Sequence, residues 1–120
     1  MNIEDVRAYC LALPFTTEDF PFDENTLVIR IGKKIFALIP LEKKSIINLK
    51  CEPERAIELR EKHEGIQPGY HMNKKYWNTI QFDSIPSALV KELIEHSYNL
   101  VIESLPKKIK QDLRLSEKES

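Results

Sequence analysis

The fold class that this sequence predicts is α+β: a two-layer sandwich in which an antiparallel sheet of about five strands carries helices on one face. Three observations predict it. Two short breaks, Gly32-Lys33 and Leu41–Lys44, separate three runs of strand chemistry, and loops that short force antiparallel pairing. Three segments with apolar residues at helical spacing lie outside those runs. The 120 residues are 42% apolar and 31% charged, enough to build one core in one domain. The expected order is α-β-β-β-β-α-β-α.

Asn2 is a good N-cap, and Ile3, Val6, Cys10 and Leu13 recur at helical spacing, so a first helix is expected over 3–13, stopped by Pro14. TTEDFPF (16–22) reads as extended, with Pro21 confining it to an edge or a bulge. LVIRI (27–31) and KIFALI (34–39) flank Gly32-Lys33, which suits a type II′ turn with glycine first. That register pairs Arg30 with Ile35, Ile29 with Phe36 and Leu27 with Leu38. Pairing Pro40 with Ser45 then sets Ile47 opposite Leu38 and Leu49 opposite Phe36. Leu27, Ile29, Phe36, Leu38, Ile47 and Leu49 would share the inner face. The outer face would carry Val28, Arg30, Ile35, Ala37, Ile39, Ile46, Asn48 and Lys50. It is too apolar for full exposure, so a C-terminal segment or a partner chain is expected to cover part of it.

Pro53, with Glu52 and Glu54 beside it, opens a second helix. Ala56, Ile57 and Leu59 form its apolar side and Gly65 is its expected stop. IQPGY (66–70) reads as a turn and YWNTIQF (76–82) as a strand. Pro86 opens a third helix, about 86–104, with a stripe of Leu89, Leu93, Ile94, Tyr98, Val101 and Ile102. Pro106 breaks it, and PKKIKQDLRL is read as one more short helix before a fraying SEKES tail. A single domain is thus expected over 1–108, with 109–120 as a partly disordered C-terminal extension.

Composition limits the chemistry. No apolar run is long enough to span a membrane, and MNIEDVRAY lacks the apolar core of a signal peptide, so a cytoplasmic location is expected. Cys10 and Cys51 have no CxxC spacing, and His63, His71 and His96 are scattered, so no metal site is expected. No cofactor motif is found: the three glycines form no phosphate loop. Nothing local poises a nucleophile against a base, so the chain is read as non-enzymatic.

The net charge is −1, but it is unevenly spread. Residues 1–24 carry six acids and one base, whereas 25–51 carry six bases and one acid. Lysine pairs mark two hairpin tips, Lys33 with Lys34 and Lys43 with Lys44, and a third pair, Lys74 and Lys75, enters the expected fifth strand. The last pair lies in GYHMNKKYWNTI (69–80), which also holds His71 and the single tryptophan, Trp77. Lysines at protruding turns can neutralise phosphates, and aromatic rings beside them can stack on unpaired bases. Lysines also favour such places because they keep sheet edges from pairing. A buried indole packing a corner would look the same in sequence.

The segment GYHMNKKYWNTI resembles the MmcQ/YjbR family. TTEDFPF, LVIRIGKKIFALI and INLKCEPERAIELR precede it, and HSYNLVIESLPKK follows, in the family's order. The resemblance runs from the first helix to about residue 108. It implies an architecture similar to secretion chaperones and frataxin, and DNA binding through a double-wing arrangement of hairpins. It carries over no catalytic residue and no cofactor. The family's motif positions fall here on Thr17 to Phe22, Lys50, Pro53, Gly69, Tyr70, His71, Asn73, Lys74, Lys75, Trp77 and Asn78. The expected nucleic-acid contacts are Lys33, Lys34, Lys43, Lys44, Lys74, Lys75, Trp77 and His71, with DNA as partner. The alternative is a protein partner or a second copy bound on the outer sheet face, as in a chaperone-like domain.

Overall fold

The computed structural model describes residues 1–69 and 72–119. The chain runs α1 (Ile3–Ala12), β1 (Thr16–Asp19), β2 (Thr26–Ile31), β3 (Lys34–Pro40), β4 (Ile46–Lys50), α2 (Pro53–Lys62), β5 (Ile66–Pro68), β6 (Trp77–Gln81), α3 (Ser87–Ser104) and α4 (Lys107–Glu119). Six strands form one antiparallel sheet in the order β1-β2-β3-β4-β6-β5. The strand beyond the expected five is β5. It is three residues long and ends in Pro68, which is tolerated because the strand is an edge.

α1 starts where its cap dictates. Asn2 Oδ1 accepts from the Asp5 N–H at 2.8 Å, and the Asp5 carboxylate accepts from the Asn2 N–H at 3.2 Å, a closed capping box. α2 ends at Lys62, with His63 rather than Gly65 closing it. Ala56 and Leu59 are its buried residues, while Ile57, expected inside, is 53% exposed. α3 buries Val90, Leu93, Ile94, Tyr98 and Val101 on the sheet, along with one polar residue, Ser97. α4 follows Pro106, and its Ile109 and Leu113 rest on the core.

The β2–β3 hairpin departs from expectation twice. Gly32 and Lys33 both have positive φ, +56° and +71°, so the turn is type I′ rather than II′. The left-handed conformation is unfavourable for lysine. Here Arg30 Nη1 donates to the Lys33 carbonyl at 2.9 Å and holds the turn. Second, Arg30 pairs with Ile35 as expected, but Ile29 then pairs with Ala37, so Phe36 is an extra residue in β3. The bulge turns Phe36 and Ala37 to the same side and reverses the parity beyond them. Ala37 and Ile39 therefore belong to the core, and Leu38 moves to the outer face.

The β3–β4 connection corrects this slip. Its register is Ala37–Leu49 and Leu38–Asn48, one residue off the expected pairing. Ile47 and Leu49 consequently point inward as expected, although opposite different partners. Two shifts of one residue cancel, because strand side chains alternate with period two.

The core fills the space between the sheet and its helices. Phe36 is fully buried and meets the edge of Tyr98, ring centroids 5.5 Å apart and planes at 80°. Tyr98 Oη donates to the Pro14 carbonyl at 2.7 Å, tying α3 to the end of α1. Edge strand β1 is fastened on both faces: Arg7 of α1 pairs with Glu18, and Arg30 of β2 with Asp19 at 3.0 Å. Among the described residues, no helix is long and apolar enough to cross a membrane.

Candidate nucleic-acid interface

A meander sends its consecutive hairpins to opposite ends of the sheet. The Lys33–Lys34 turn stands at the end where β3 begins. Lys43 and Lys44 stand at the end where it finishes, roughly 20 Å away for a seven-residue strand. β6 begins at the Lys33 end, because Trp77 pairs with Lys50 and Leu49 with Ala37. Lys74 and Lys75, just before Trp77, therefore share the end of the sheet with Lys33, Lys34 and Lys50. The structure thus groups two of the three lysine pairs and sets Lys43 and Lys44 apart from them.

All six of these lysines are exposed. Lys34 is occupied: its Nζ donates to the Ser104 carbonyl at 3.1 Å, where a cation meets the negative end of α3. The Gly32 turn lies tightly against the corner that follows. A Cβ at Gly32 would meet Leu105 Cδ1 at 2.9 Å and Ile109 Cγ2 at 3.3 Å, and φ is +56°, so a larger residue would be strained and would displace these side chains. This packing brings Lys33 beside the first turn of α4, where Lys107 and Lys108 are exposed and Lys110 is half-buried. Glu103, in the neighbouring last turn of α3, is an acid at the border of this basic surface.

Gly69 and residues 72–77 are held in place by polar contacts. The Gly69 N–H donates to the Trp77 carbonyl at 2.8 Å, and a Cβ on Gly69 would sit 2.8 Å from Trp77 Cβ. The Asn73 carbonyl accepts from the Trp77 N–H at 3.0 Å, and Asn73 Oδ1 from the Lys75 N–H at 3.0 Å. Arg60 of α2 reaches in: its Nε donates to Asn78 Oδ1 at 2.7 Å and its Nη2 to the Lys74 carbonyl. The backbone of the lysine pair is thus anchored while both ammonium groups stay in solvent, Lys75 Nζ lying 5.4 Å from the Tyr76 ring centre. Trp77 is half-buried on the open sheet face. Tyr70 and His71 lie outside the described residues. Arg60 and Asn78 were not singled out as anchors by sequence reasoning. The available signal was an asparagine on the inward parity of β6, two residues before Ile80.

The open face of the sheet, which bears no helix, is neither flat nor bare. Val28 and Leu38 point to that side, yet are 0% and 8% exposed. The loop after β1 rises over it through Phe22, and Met72 approaches from the other side. Between them lies a groove of about 760 Å³.

Among the described residues, no group of three His, Cys, Asp or Glu side chains is placed to hold a metal ion. Burial pushes the thiol of Cys10 up to about 12 and that of Cys51 up to about 11, so both remain protonated at neutral pH. Of the acids near β1, Glu18 and Asp19 are paired to arginines, and Asp23 Oδ1 accepts from the Asn25 and Thr26 N–H groups at 2.8 and 2.7 Å.

Comparison with known proteins gives a consistent picture. An uncharacterized protein of Escherichia coli O157:H7, YbdF, is 37% identical over 113 residues, covering 92% of this chain and 93% of its own. YjbR of Escherichia coli K12, also described as uncharacterized, is 31% identical over 108 residues, covering 88% and 92%. The crystal structure of the Deinococcus radiodurans protein DR2400, which carries the family domain DUF419, superposes with a TM-score of 0.87 at 38% identity, covering 93% of this chain and 87% of that one. A crystal structure of a Pseudomonas syringae protein gives 0.72 at 33% identity, covering 83% and 98%. The family model YjbR matches residues 11–100, from the end of α1 through most of α3, and takes in the bulged hairpin, Gly69 and Trp77. With model, relatives and fold in agreement, this chain belongs to the YjbR family.

Proposed function

We propose that this protein is a non-enzymatic, cytoplasmic DNA-binding module that grips the phosphate backbone with one end of its sheet. The observation that carries the reading is the packing of the Gly32 turn on the Leu105–Ile109 corner. It sets the Lys33 turn against the start of a 13-residue helix whose first residues are Lys107 and Lys108, far away in sequence. The unpaired N–H groups of a first helical turn favour an anion, and lysines around them add to the attraction. Lys50, Lys74 and Lys75 extend the basic surface along the same end. Lys43 and Lys44 are outside it, so the two hairpins do not act as a pair of wings on one duplex face. The proposed contacts are to phosphates, and affinity of the non-specific order, about 10⁻⁴–10⁻⁶ M at physiological salt, is expected.

The test is fluorescence anisotropy of a labelled DNA duplex titrated with the protein at low and at physiological salt. Binding should weaken with salt. Replacing Lys33, Lys107 and Lys108 together by alanine should reduce the log–log salt slope by up to about 2.7, at about 0.9 for each phosphate no longer neutralised. The double Lys43/Lys44→Ala variant should leave the slope unchanged. Absence of binding at low salt, or an unaltered slope in the triple variant, rejects the proposal.

A further inference from the structure

We infer that the groove on the open face of the sheet is a binding site for an uncharged, largely apolar small molecule that presents a carbonyl oxygen. The site is separate from the basic end. Its floor is formed by side chains that the bulge and the strand alternation direct away from the helices: Ile35, Leu38 and Pro40 from β3, Ile46 and Asn48 from β4, and Thr79 from β6. A volume of about 760 Å³ suits a small ligand, and a mostly apolar lining with a few convergent polar groups is the usual make-up of such sites.

Asn48 sets the chemistry. It is the central polar group of the floor and only 8% exposed. Its Oδ1 already accepts from Thr79 Oγ1, 2.5 Å away on the neighbouring strand. That bond orients the amide, and among the described residues nothing accepts from its Nδ2. Among the described residues no buried side-chain nitrogen or oxygen lacks a partner, so Nδ2, without a protein acceptor, is open to the groove, where a ligand acceptor can take the place of water. The amide oxygen is already engaged by Thr79, so the amide presents its hydrogens, which favours a ligand acceptor over an amine. The rim disfavours a carboxylate. Asp23 and Glu42 both border the groove, against one lysine, Lys43. The Asp23 carboxyl is held below its usual range by the Asn25 N–H, so it stays charged. A neutral carbonyl satisfies both conditions. The groove is concave and its apolar floor half-buried, which also favours a small molecule over the flat surface of a protein.

Three probes of one shape separate these demands: 4-phenylbutanamide, 4-phenylbutanoate and 4-phenylbutylamine. Each is titrated into ¹⁵N-labelled protein while amide resonances are followed, including the side-chain NH₂ of Asn48. The carboxamide should bind most tightly and shift the Asn48 side chain with Leu38, Ile46 and Thr79. Asn48→Leu keeps the bulk, removes the donor, and should weaken carboxamide binding roughly two- to twelvefold, the worth of one hydrogen bond. Ile46→Lys, at a half-buried position that tolerates a long chain, should weaken all three probes and so guards against a misfolded Asn48 variant. Amine binding as tight as carboxamide binding, shifts lying elsewhere, or no saturable shift at about 10 mM overturns the inference. So does broadening of this face with protein concentration alone, accompanied by sedimentation as a dimer, which would assign the groove to a second copy.

Discussion

Ser97 is the most informative position at which to disturb this fold. It lies inside α3, is fully buried, and closes the gap in the ladder that the β3 bulge opens. Its hydroxyl donates to the Phe36 carbonyl, at the extra residue, at 2.6 Å and accepts from the Lys50 N–H of β4 at 2.9 Å. One side chain thus serves two backbone groups on adjacent strands, as a hydroxyl can. Ser97→Ala leaves both unserved. Each unsatisfied buried group costs about 1–3 kcal/mol, and the Lys50 N–H, partly buried, falls at the low end. The expected loss is about 2–4 kcal/mol.

At about 2.1 cal/mol/K per residue, unfolding a chain of this length has an entropy near 0.25 kcal/mol/K, so the midpoint should fall by about 8–16 °C. Urea denaturation and thermal melting by circular dichroism read the change directly. Ser104→Ala is the control. Its hydroxyl, at the exposed end of the same helix, donates to the Val101 carbonyl at 2.7 Å, and its removal should cost no more than about 0.5 kcal/mol. A Ser97→Ala protein as stable as the parent would refute the reasoning that the bulge depends on a side-chain donor from the helix layer.

Three other perturbations have definite signs. Lys33→Asn, at a left-handed position that asparagine tolerates, should raise stability by about 0.5–1 kcal/mol, read as a higher urea midpoint at unchanged slope. His96 is held below its usual range by burial first and by Arg55 second, and its Nε2 accepts from the Glu52 N–H at 3.2 Å. Below an unfolded value of about 6.5 the unfolded chain binds the proton more readily, so this contribution is present above that pH and is lost as pH falls through the lower folded value. His96→Gln keeps an acceptor without titrating and should flatten that part of the stability–pH curve. Arg60→Met removes the donor to Asn78, which is 1% exposed, and should cost about 1–3 kcal/mol and speed hydrogen exchange at Lys75 and Trp77.

Much of the architecture was legible because it rests on local rules. The Asn2 cap, the proline-marked helix starts at 53 and 86 and the hairpin break at Gly32 each act within a few residues. The bulge was not legible, since nothing in VIRIGKKIFALI separates a regular ladder from one with Phe36 inserted. What distinguishes them is Ser97, sixty-one residues away, supplying the hydrogen bond that makes the bulge tolerable. A trace of it is in the sequence: serine at 97 falls four residues after Leu93 and four before Val101, on the buried stripe of α3. A polar residue on such a stripe implies an unpaired backbone group opposite it.

The two proposed surfaces follow the same logic at longer range. That neighbouring hairpins of a meander face opposite ways is a rule of topology, and it separates Lys43 and Lys44 from Lys33 as soon as three consecutive strands are accepted. No local rule says that α4 returns to the Gly32 turn. That packing depends on Leu105 and Ile109 fitting over a glycine, so the approach of the Lys33 turn to the start of α4 exists only in the folded chain. The groove has the same origin. The parity reversal at Phe36 is what places Leu38 opposite Asn48 on the open face and removes Ala37 and Ile39 from it. A strand without the bulge would carry a different floor, so the residue that Ser97 secures also shapes the concave surface to which Asn48 brings its amide donor.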